Sequence, residues 1–304
     1  MSETTLEASN SPLAWRQYLE LCKPKVVLLI VFTAIVGMLL SSSNMVPLHT
    51  LVFASMGIGL AAASGAAVNH WVDQKIDSAM ERTKGRPLPT GGLSSRAALT
   101  FALSLCIISM AILLASTNEL TAILTFICVI GYAVIYTMFL KRTTPQNIIW
   151  GGAAGAAPPL LGWAAMTGEV NSEALLLFLI IFIWTPPHFW ALAIRRRDDY
   201  AKVNIPMLPV THGIPFTKVQ VLLYTIMLFA VTLIPFAIKM SGMIYLAGAV
   251  ALGLGFIYHA FKLYRSDNDD HAMKTFGYSI FYLTMLFGFL LVDHYVRIAI
   301  RAWA

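Results

Sequence analysis

The feature that most constrains this chain is a series of nine apolar stretches, each close to the ~20 residues that a helix needs to cross a bilayer. Within lipid the backbone must satisfy its own hydrogen bonds, so stretches of this length predict helices rather than barrel strands. Only 12% of the residues are charged and 58% are hydrophobic, which leaves no large soluble domain. We therefore predict an all-α, polytopic membrane protein, a bundle of nine transmembrane helices around a central cavity. The predicted spans are residues 25–43, 50–70, 97–116, 119–139, 147–166, 172–194, 217–238, 242–261 and 276–298.

Basic residues predict how this bundle is oriented. Of the 21 lysines and arginines, 18 fall on the side of the amino terminus when the loops are counted alternately. The positive-inside rule then predicts a cytoplasmic amino terminus and an external carboxyl terminus, and we expect a bacterial inner membrane. This topology explains the net charge of +6, so nucleic acid is not an expected partner. No signal peptide is expected. The predicted parts are a cytoplasmic tail with a short interfacial segment (1–24), the transmembrane domain (25–298) and an external tail (299–304).

The end of the second span combines acids with bases. Asn69, Asp73 and Asp77 recur at every fourth residue, so on a helix they lie along one face. Such a face offers the oxygen ligands that Mg²⁺ prefers, in combination with the oxygens of a bound phosphate. A diphosphate site is the functional interpretation, and a solvated connecting loop is the alternative. The bases that follow, and that can pair with phosphate directly, are Arg82, Lys84 and Arg86.

A second charged cluster follows the sixth span. Its loop and the loop after the second span are both long and lie on the cytoplasmic face, which predicts two walls of one cap over a cavity. Asp198 and Asp199 are candidate ligands for a second Mg²⁺, although solvated loops also mix charges in this way. The further candidates for contact with anionic groups are Arg195, Arg196, Arg197 and Lys202 here, with Lys141 and Arg142 at the end of the fourth span.

The remaining polar residues inside the spans are few. His188 follows Pro186 and Pro187, which remove helix hydrogen bonds, so we predict an opened backbone there and a ring that faces protein or a cavity rather than lipid. A satisfied core histidine is the alternative to a contact with substrate. Asp293 and His294 are isolated and predict structural roles. The three cysteines match neither a disulfide framework nor a metal site.

These residues together resemble the UbiA-type intramembrane prenyltransferases, which are nine-helix bundles around a central cavity. The resemblance rests on the Asn-xxx-Asp-xxx-Asp pattern at 69–77 and on the Asp cluster after the sixth span. Segments 84–91, 136–165 and 185–210 are similar to the branch of that family that farnesylates haem. One departure concerns the second acidic pair, which in the family is Asp-xxx-Asp. Here Lys202 follows Asp198, so the ligands of a second metal stay open and Lys202 is an alternative contact for diphosphate.

The resemblance implies a prenyl transfer between two substrates, farnesyl diphosphate and haem b. Mg²⁺ held by Asp73, Asp77 and Asp198 would stabilise the departing diphosphate. The vinyl group of haem b would attack the allylic cation, and water would complete haem O. Other enzymes of haem synthesis or terminal-oxidase assembly are the expected protein partners. A quinone-type aromatic prenyltransferase stays open because the Asp pattern is shared, and a small-molecule transporter or an assembly factor would be alternatives from other classes.

Overall fold

The computed structural model describes residues 14–267 and 269–303, and every regular element in those residues is a helix. In chain order the α-helices are α1 (Ala14–Leu21), α2 (Pro24–Leu40), α3 (Leu48–Ala79), α4 (Ser95–Ser116), α5 (Glu119–Ile130), α6 (Lys141–Thr143), α7 (Asn147–Ala156), α8 (Pro158–Thr167), α9 (Ser172–Arg195), α10 (Arg197–Lys202), α11 (Leu208–Thr211), α12 (Gly213–Ala237), α13 (Met243–Arg265) and α14 (Asp270–Trp303). The long helices alternate in direction. The helices that end on one side are α3, α5 with its extension, and α9, and those that begin on that side are α2, α4, α7, α12 and α14.

The all-α membrane architecture is confirmed, whereas the count of nine spans is not. Within the described part of the chain, seven helices are long and apolar enough to cross a membrane. The pair α1 and α2, bent by 54°, raises the number to eight if it forms one span. The fifth predicted span is divided into α7 and α8, because Pro158 has no N–H to continue α7 and suits the first position of a new helix.

The two predicted tails are only partly described. Residues 1–13 of the amino-terminal tail and residue 304 lie outside the described residues. The segment predicted to be interfacial forms α1, in which Trp15 and Leu19 are exposed. Residues 299–303 continue α14 instead of leaving it as a separate tail.

The helices pack side by side in a closed ring. Helix α3 contacts α4, and α4 contacts α5. In the other half α9 contacts α12, α12 contacts α13 and α13 contacts α14. Helix α2 closes the ring because it contacts both α3 and α14. The interior is filled by an apolar cluster whose largest fully buried members are aromatic. Between membrane helices this close packing, rather than removal of apolar surface from water, is the main source of association energy. The aromatic residues at the centre are Tyr245, Phe256, Tyr282 and Phe287.

Two glycines bring α2 and α8 into backbone contact. A Cβ added at Gly162 would lie 2.0 Å from the carbonyl oxygen of Ala34, and one at Gly37 would lie 2.0 Å from that of Pro159. Both distances are far inside van der Waals contact, so only glycine fits at either position. The small residues of this pair of helices therefore fix α8 against the inner side of α2.

The last part of the fourth span is a π-helix, Gly131–Leu140, which continues α5. The hydroxyl of Thr137 donates to the carbonyl of Tyr132, five residues earlier, at 2.7 Å. Since a π-helix bonds residue i to residue i+5, Tyr136 and Lys141 come to lie one above the other. The rings of Tyr132 and Tyr136 stack at 5.5 Å, so one face of this segment presents two aromatic rings and a cation.

The prediction of an opened backbone in the sixth span is wrong. α9 continues through Pro186 and Pro187 without interruption. The helix is held on several sides by α7, α8, α12 and α14, and such packing lets membrane helices tolerate proline. The position of His188 is nevertheless as predicted, since its residue is only 7% exposed.

Candidate functional site

The acidic stripe at the end of α3 is buried. Asn69, Asp73 and Asp77 are 6%, 1% and 4% exposed, although each carries a polar group near the end of a membrane helix. Burying carboxylates is costly unless charges or hydrogen bonds compensate them. The groups around the two acids must therefore compensate their charge.

Cations from two separate segments surround these carboxylates. Lys141, at the end of the π-helix, forms an ion pair with Asp73, and the guanidinium of Arg142 lies 3.7 Å from the second oxygen of the same carboxylate. Arg86 pairs with Asp77 at 2.6 Å. Pairs this well shielded from water are screened little by salt. The structure thus brings together five of the predicted site residues around one buried acidic pair.

A sixth polar group, Lys23, was not among the predicted site residues. Its ammonium donates to the side-chain oxygen of Asn69 at 2.7 Å, and the amide of Asn69 donates to Asp73 at 2.8 Å. Burial, together with the charges of Arg86 and Lys141, lowers the pKa of Lys23 to about 7. Its backbone is left-handed, with φ of 50°, directly before α2. A non-glycine residue held in that region at a site is often functional, but no sequence signal identified it here.

The loop after α3 supplies one of its three predicted bases to the carboxylates. The hydroxyl of Thr83 donates to the carbonyl of Asp77 at 3.0 Å and so turns the chain back toward α3, which places Arg86. Lys84 instead pairs with Glu81 at 2.7 Å on the exposed surface. Arg82 is exposed as well, at the edge of the site.

The second charged cluster separates its two acids. Asp198 is 87% exposed at the side chain and pairs with Arg197 at 3.4 Å. Asp199 is only 14% exposed and lies 3.6 Å from Arg196. Adjacent residues on a helix point about 100° apart, so α10 directs only one of the two inward. Both acids line a cavity of about 350 Å³ together with Arg195, Arg196 and Met273.

The loop after α3 and the loop after α9 pack together as one cap. Met80 from the first loop shares an apolar cluster with Tyr200 and Ile205 from the second. Burial raises the pKa of Tyr200, and the neighbouring charges of Arg82 and Arg196 oppose that shift. Both loops are therefore within electrostatic range of the carboxylates on α3.

His188 lies deeper in the bundle, among aromatic rings. Its ring stacks between those of Trp184 at 4.2 Å and Phe276 at 4.5 Å. Its Nδ1 is 2.6 Å from the hydroxyl of Ser279, which itself donates to the carbonyl of Phe276 at 2.6 Å. Because a hydroxyl has one proton, Nδ1 of His188 is the donor in this pair and Nε2 is left as an acceptor. The ring is fixed in place and in tautomer.

His70 is a second polar group that sequence reasoning passed over. It is 2% exposed, and neither ring nitrogen has a hydrogen-bond partner among the described residues. It precedes Asp73 by three residues and Asp77 by seven, spacings that place it beside the acidic stripe on α3. That spacing is the signal that could have identified it.

The donor set at the carboxylates suits Mg²⁺. Among the described residues, no three or more His, Cys, Asp or Glu side chains gather as a metal cluster. Mg²⁺ does not need one, because it uses one or two carboxylates and completes its shell with waters and phosphate oxygens. Asp73 and Asp77 provide such a pair, and Oδ1 of Asp73 accepts no hydrogen bond among the described residues, with the guanidinium of Arg142 3.7 Å away. A ligand that reaches this oxygen displaces an ion pair and no hydrogen bond.

Comparisons with known proteins show the family and the fold of this chain. Proteins called protoheme IX farnesyltransferase are 64% identical in Thioalkalivibrio sulfidiphilus, over 98% of both chains, and 60% identical in Nitrosococcus oceani, over 93% of this chain and 94% of that one. A UbiA homologue of Archaeoglobus fulgidus, solved with DMAPP and Mg²⁺, has the same fold with a TM-score of 0.65 at 15% identity, covering 90% of this chain and 99% of that chain. The sequence model of the UbiA prenyltransferase family matches residues 30–287. The chain therefore belongs to the UbiA prenyltransferase family, among relatives that are named protoheme IX farnesyltransferases.

Proposed function

We propose that this protein transfers the farnesyl group of farnesyl diphosphate to a vinyl group of haem b, and that water addition completes haem O. The observation that carries the proposal is the buried pair Asp73 and Asp77, set among Lys141, Arg142 and Arg86 at the mouth of an apolar bundle. The names of the relatives supply the identity of both substrates.

The acidic stripe is the proposed metal site. Asp73 and Asp77, with the amide oxygen of Asn69, would hold Mg²⁺, as the Archaeoglobus fulgidus relative solved with Mg²⁺ suggests. When bound, the ion would supply positive charge to the departing diphosphate. For the second acidic position we favour Asp199 over Asp198, because Asp199 is the less exposed of the two.

The surrounding cations are the proposed diphosphate contacts. Lys141, Arg142 and Arg86 neutralise carboxylates in this structure and are within reach of the same space. With the acids bound to a metal, these side chains are free to donate to phosphate oxygens, and guanidinium groups do so with two parallel bonds. They then stabilise the negative charge that develops as the C1–O bond of the farnesyl group breaks and its electron pair leaves with diphosphate. Of the other predicted contacts, Arg82, Lys84 and Lys202 lie at the rim of the cap.

The interior of the bundle is the proposed place of carbon–carbon bond formation. Its apolar walls keep water from the allylic cation until the vinyl carbon has attacked it. His188 is proposed to contact the haem, since its ring is fixed by Ser279 and two stacked aromatic rings with Nε2 left as an acceptor. The proposed contacts for the propionates are Arg195, Arg196 and Arg197, which follow His188 by seven to nine residues, about two turns or more of helix. No side chain is required as a nucleophile.

The test is turnover by the purified protein in detergent or lipid. Incubation with haem b, farnesyl diphosphate and Mg²⁺ should give a haem whose mass has increased by one farnesyl group and one hydroxyl group, because the water that captures the cation releases a proton. Asp73→Asn, which keeps the size of the side chain, should lower the rate at least about 100-fold, because it weakens the binding of the Mg²⁺ whose charge would stabilise the leaving group. A native rate in that variant, or prenylation of an aromatic acid in place of haem, would refute the proposal.

The proposed location is the bacterial inner membrane, with the carboxylates on the cytoplasmic side. The basic residues around the cap support this orientation under the positive-inside rule. The domain boundaries 1–24, 25–298 and 299–304 stay a prediction, as does the association with other enzymes of haem synthesis.

A further inference from the structure

We propose that His70 binds the diphosphate of the prenyl substrate directly, as a hydrogen-bond donor beside the metal-binding acids. The inference rests on the proposed function, since it assigns a further residue to the same site. Its starting point is a buried imidazole, 2% exposed, with both ring nitrogens unpartnered. Unpaired buried polar groups are rare in folded proteins because they cost free energy, and such a group needs an explanation.

The surroundings of His70 indicate the charge of the missing partner. The charged groups that act on its ring most strongly are Lys23, Arg86 and Arg82, which are all cations. On its own helix the nearest ionisable groups are Asp73 and Asp77, which are paired with Lys141 and with Arg86. A group that enters this space between cations and the imidazole is therefore expected to be an anion.

The chemistry of imidazole then narrows the role. Mg²⁺ prefers oxygen ligands, so His70 is a poor ligand for the proposed metal. A neutral imidazole has one N–H donor, which suits an oxygen of diphosphate. The spacing of three residues from His70 to Asp73 corresponds to just under one turn of α3, so one diphosphate can contact the metal at the acids and the ring of His70 together.

The proposal predicts opposite effects of one substitution on affinity and on stability. His70→Phe fills the same space and removes both nitrogens. The Kd for farnesyl thiodiphosphate, a substrate analogue that ionises slowly, should increase about 10- to 100-fold in the presence of Mg²⁺, as expected for loss of a hydrogen bond to a charged group. The melting temperature without ligand should stay equal or increase, because the unpaired polar atoms are gone. His70→Gln, which keeps a donor, should bind within about threefold of the native protein.

Two control variants separate this proposal from its foundation. His259→Phe removes a half-buried histidine on α13 that also has an unpartnered nitrogen, and it should leave the Kd unchanged. Asp73→Asn tests the proposed function, because it should abolish Mg²⁺-dependent binding whatever His70 does. If Asp73→Asn loses binding while His70→Phe binds as the native protein does, the role of His70 is refuted and the proposed function stands. If His70→Phe lowers the melting temperature and His70→Gln fails to restore affinity, His70 serves packing and the inference is refuted as well.

Discussion

Replacement of Asp293 by alanine should destabilise the end of the bundle opposite the carboxylates without touching catalysis. Asp293 is 1% exposed, and its carboxylate accepts hydrogen bonds from the backbone N–H groups of Gly242, Ile244 and Tyr245 at 2.5, 3.2 and 3.2 Å. It therefore caps the first turn of α13 from a different helix. Arg297 is 3.9 Å away and also bonds the carbonyl of Met240, so it is not left without a partner.

The magnitude follows from the three donors. Each buried donor left unpaired costs ~1–3 kcal/mol, and water can reach some of them at the end of a helix, so the total should be about 3–5 kcal/mol. Asp293→Asn keeps one acceptor oxygen and should lose only about 1–2 kcal/mol.

The measurement is reversible unfolding in mixed micelles with increasing dodecyl sulfate, together with farnesyl transfer per folded molecule. Transfer should be unchanged, since Asp293 lies 23 positions after Asp270, where α14 begins, a distance of about 35 Å along the helix. A loss below about 1 kcal/mol in Asp293→Ala would show that the cap is not what stabilises this helix end. Inactivity of a fully folded variant would show that the two ends of the bundle are coupled.

Two further comparisons use matched pairs. Gly162→Ala should cost about 3 kcal/mol or more, because its new methyl group meets the backbone oxygen of Ala34, whereas Gly155→Ala, with open space at the Cβ, should be neutral or slightly stabilising in the same unfolding assay. Asp199→Asn should raise the Mg²⁺ concentration that gives half-maximal transfer about 10-fold, whereas Asp198→Asn should change it less than about threefold, as for an exposed pair. Equal effects in either pair would contradict the corresponding geometry.

The sequence was a good guide to the membrane helices and to one face of the site. The length of an apolar stretch predicts a span because a helix must be that long to cross the lipid. It does not show where the helix ends outside the lipid, and α3 in fact extends to Ala79 and α14 begins at Asp270. The spacing of four residues between Asn69, Asp73 and Asp77 predicted a shared face because helix geometry alone places residues at that spacing on one side. Whether Asp198 or Asp199 points inward depends on how α10 is rotated about its axis relative to the rest of the cap. A local sequence pattern does not contain that information.

The same limit explains the residues that were missed. Lys23 reaches Asn69 across 46 positions of sequence, a contact that only packing creates. The sequence shows the spacing of His70 from Asp73, but only the folded structure shows that its two ring nitrogens lack hydrogen-bond partners among the described residues. The break between α7 and α8 could be anticipated from two prolines, whereas the continuity of α9 through two others could not, because the neighbouring helices decide it.

The π-helix at Gly131–Leu140 gives this part of the chain a tolerance for changes in length that an α-helix lacks. A π-helical segment holds more residues per turn than an α-helix, so the two forms differ locally by an insertion or deletion. If Ile135 is deleted, one turn of the segment can change to α-helical winding, and the residues that follow keep their orientation. Lys141 would then stay beside Asp73. The same deletion in the middle of α4, which is α-helical throughout, rotates the rest of that helix by about 100° against α3, so transfer should be lost there and largely kept when Ile135 is deleted.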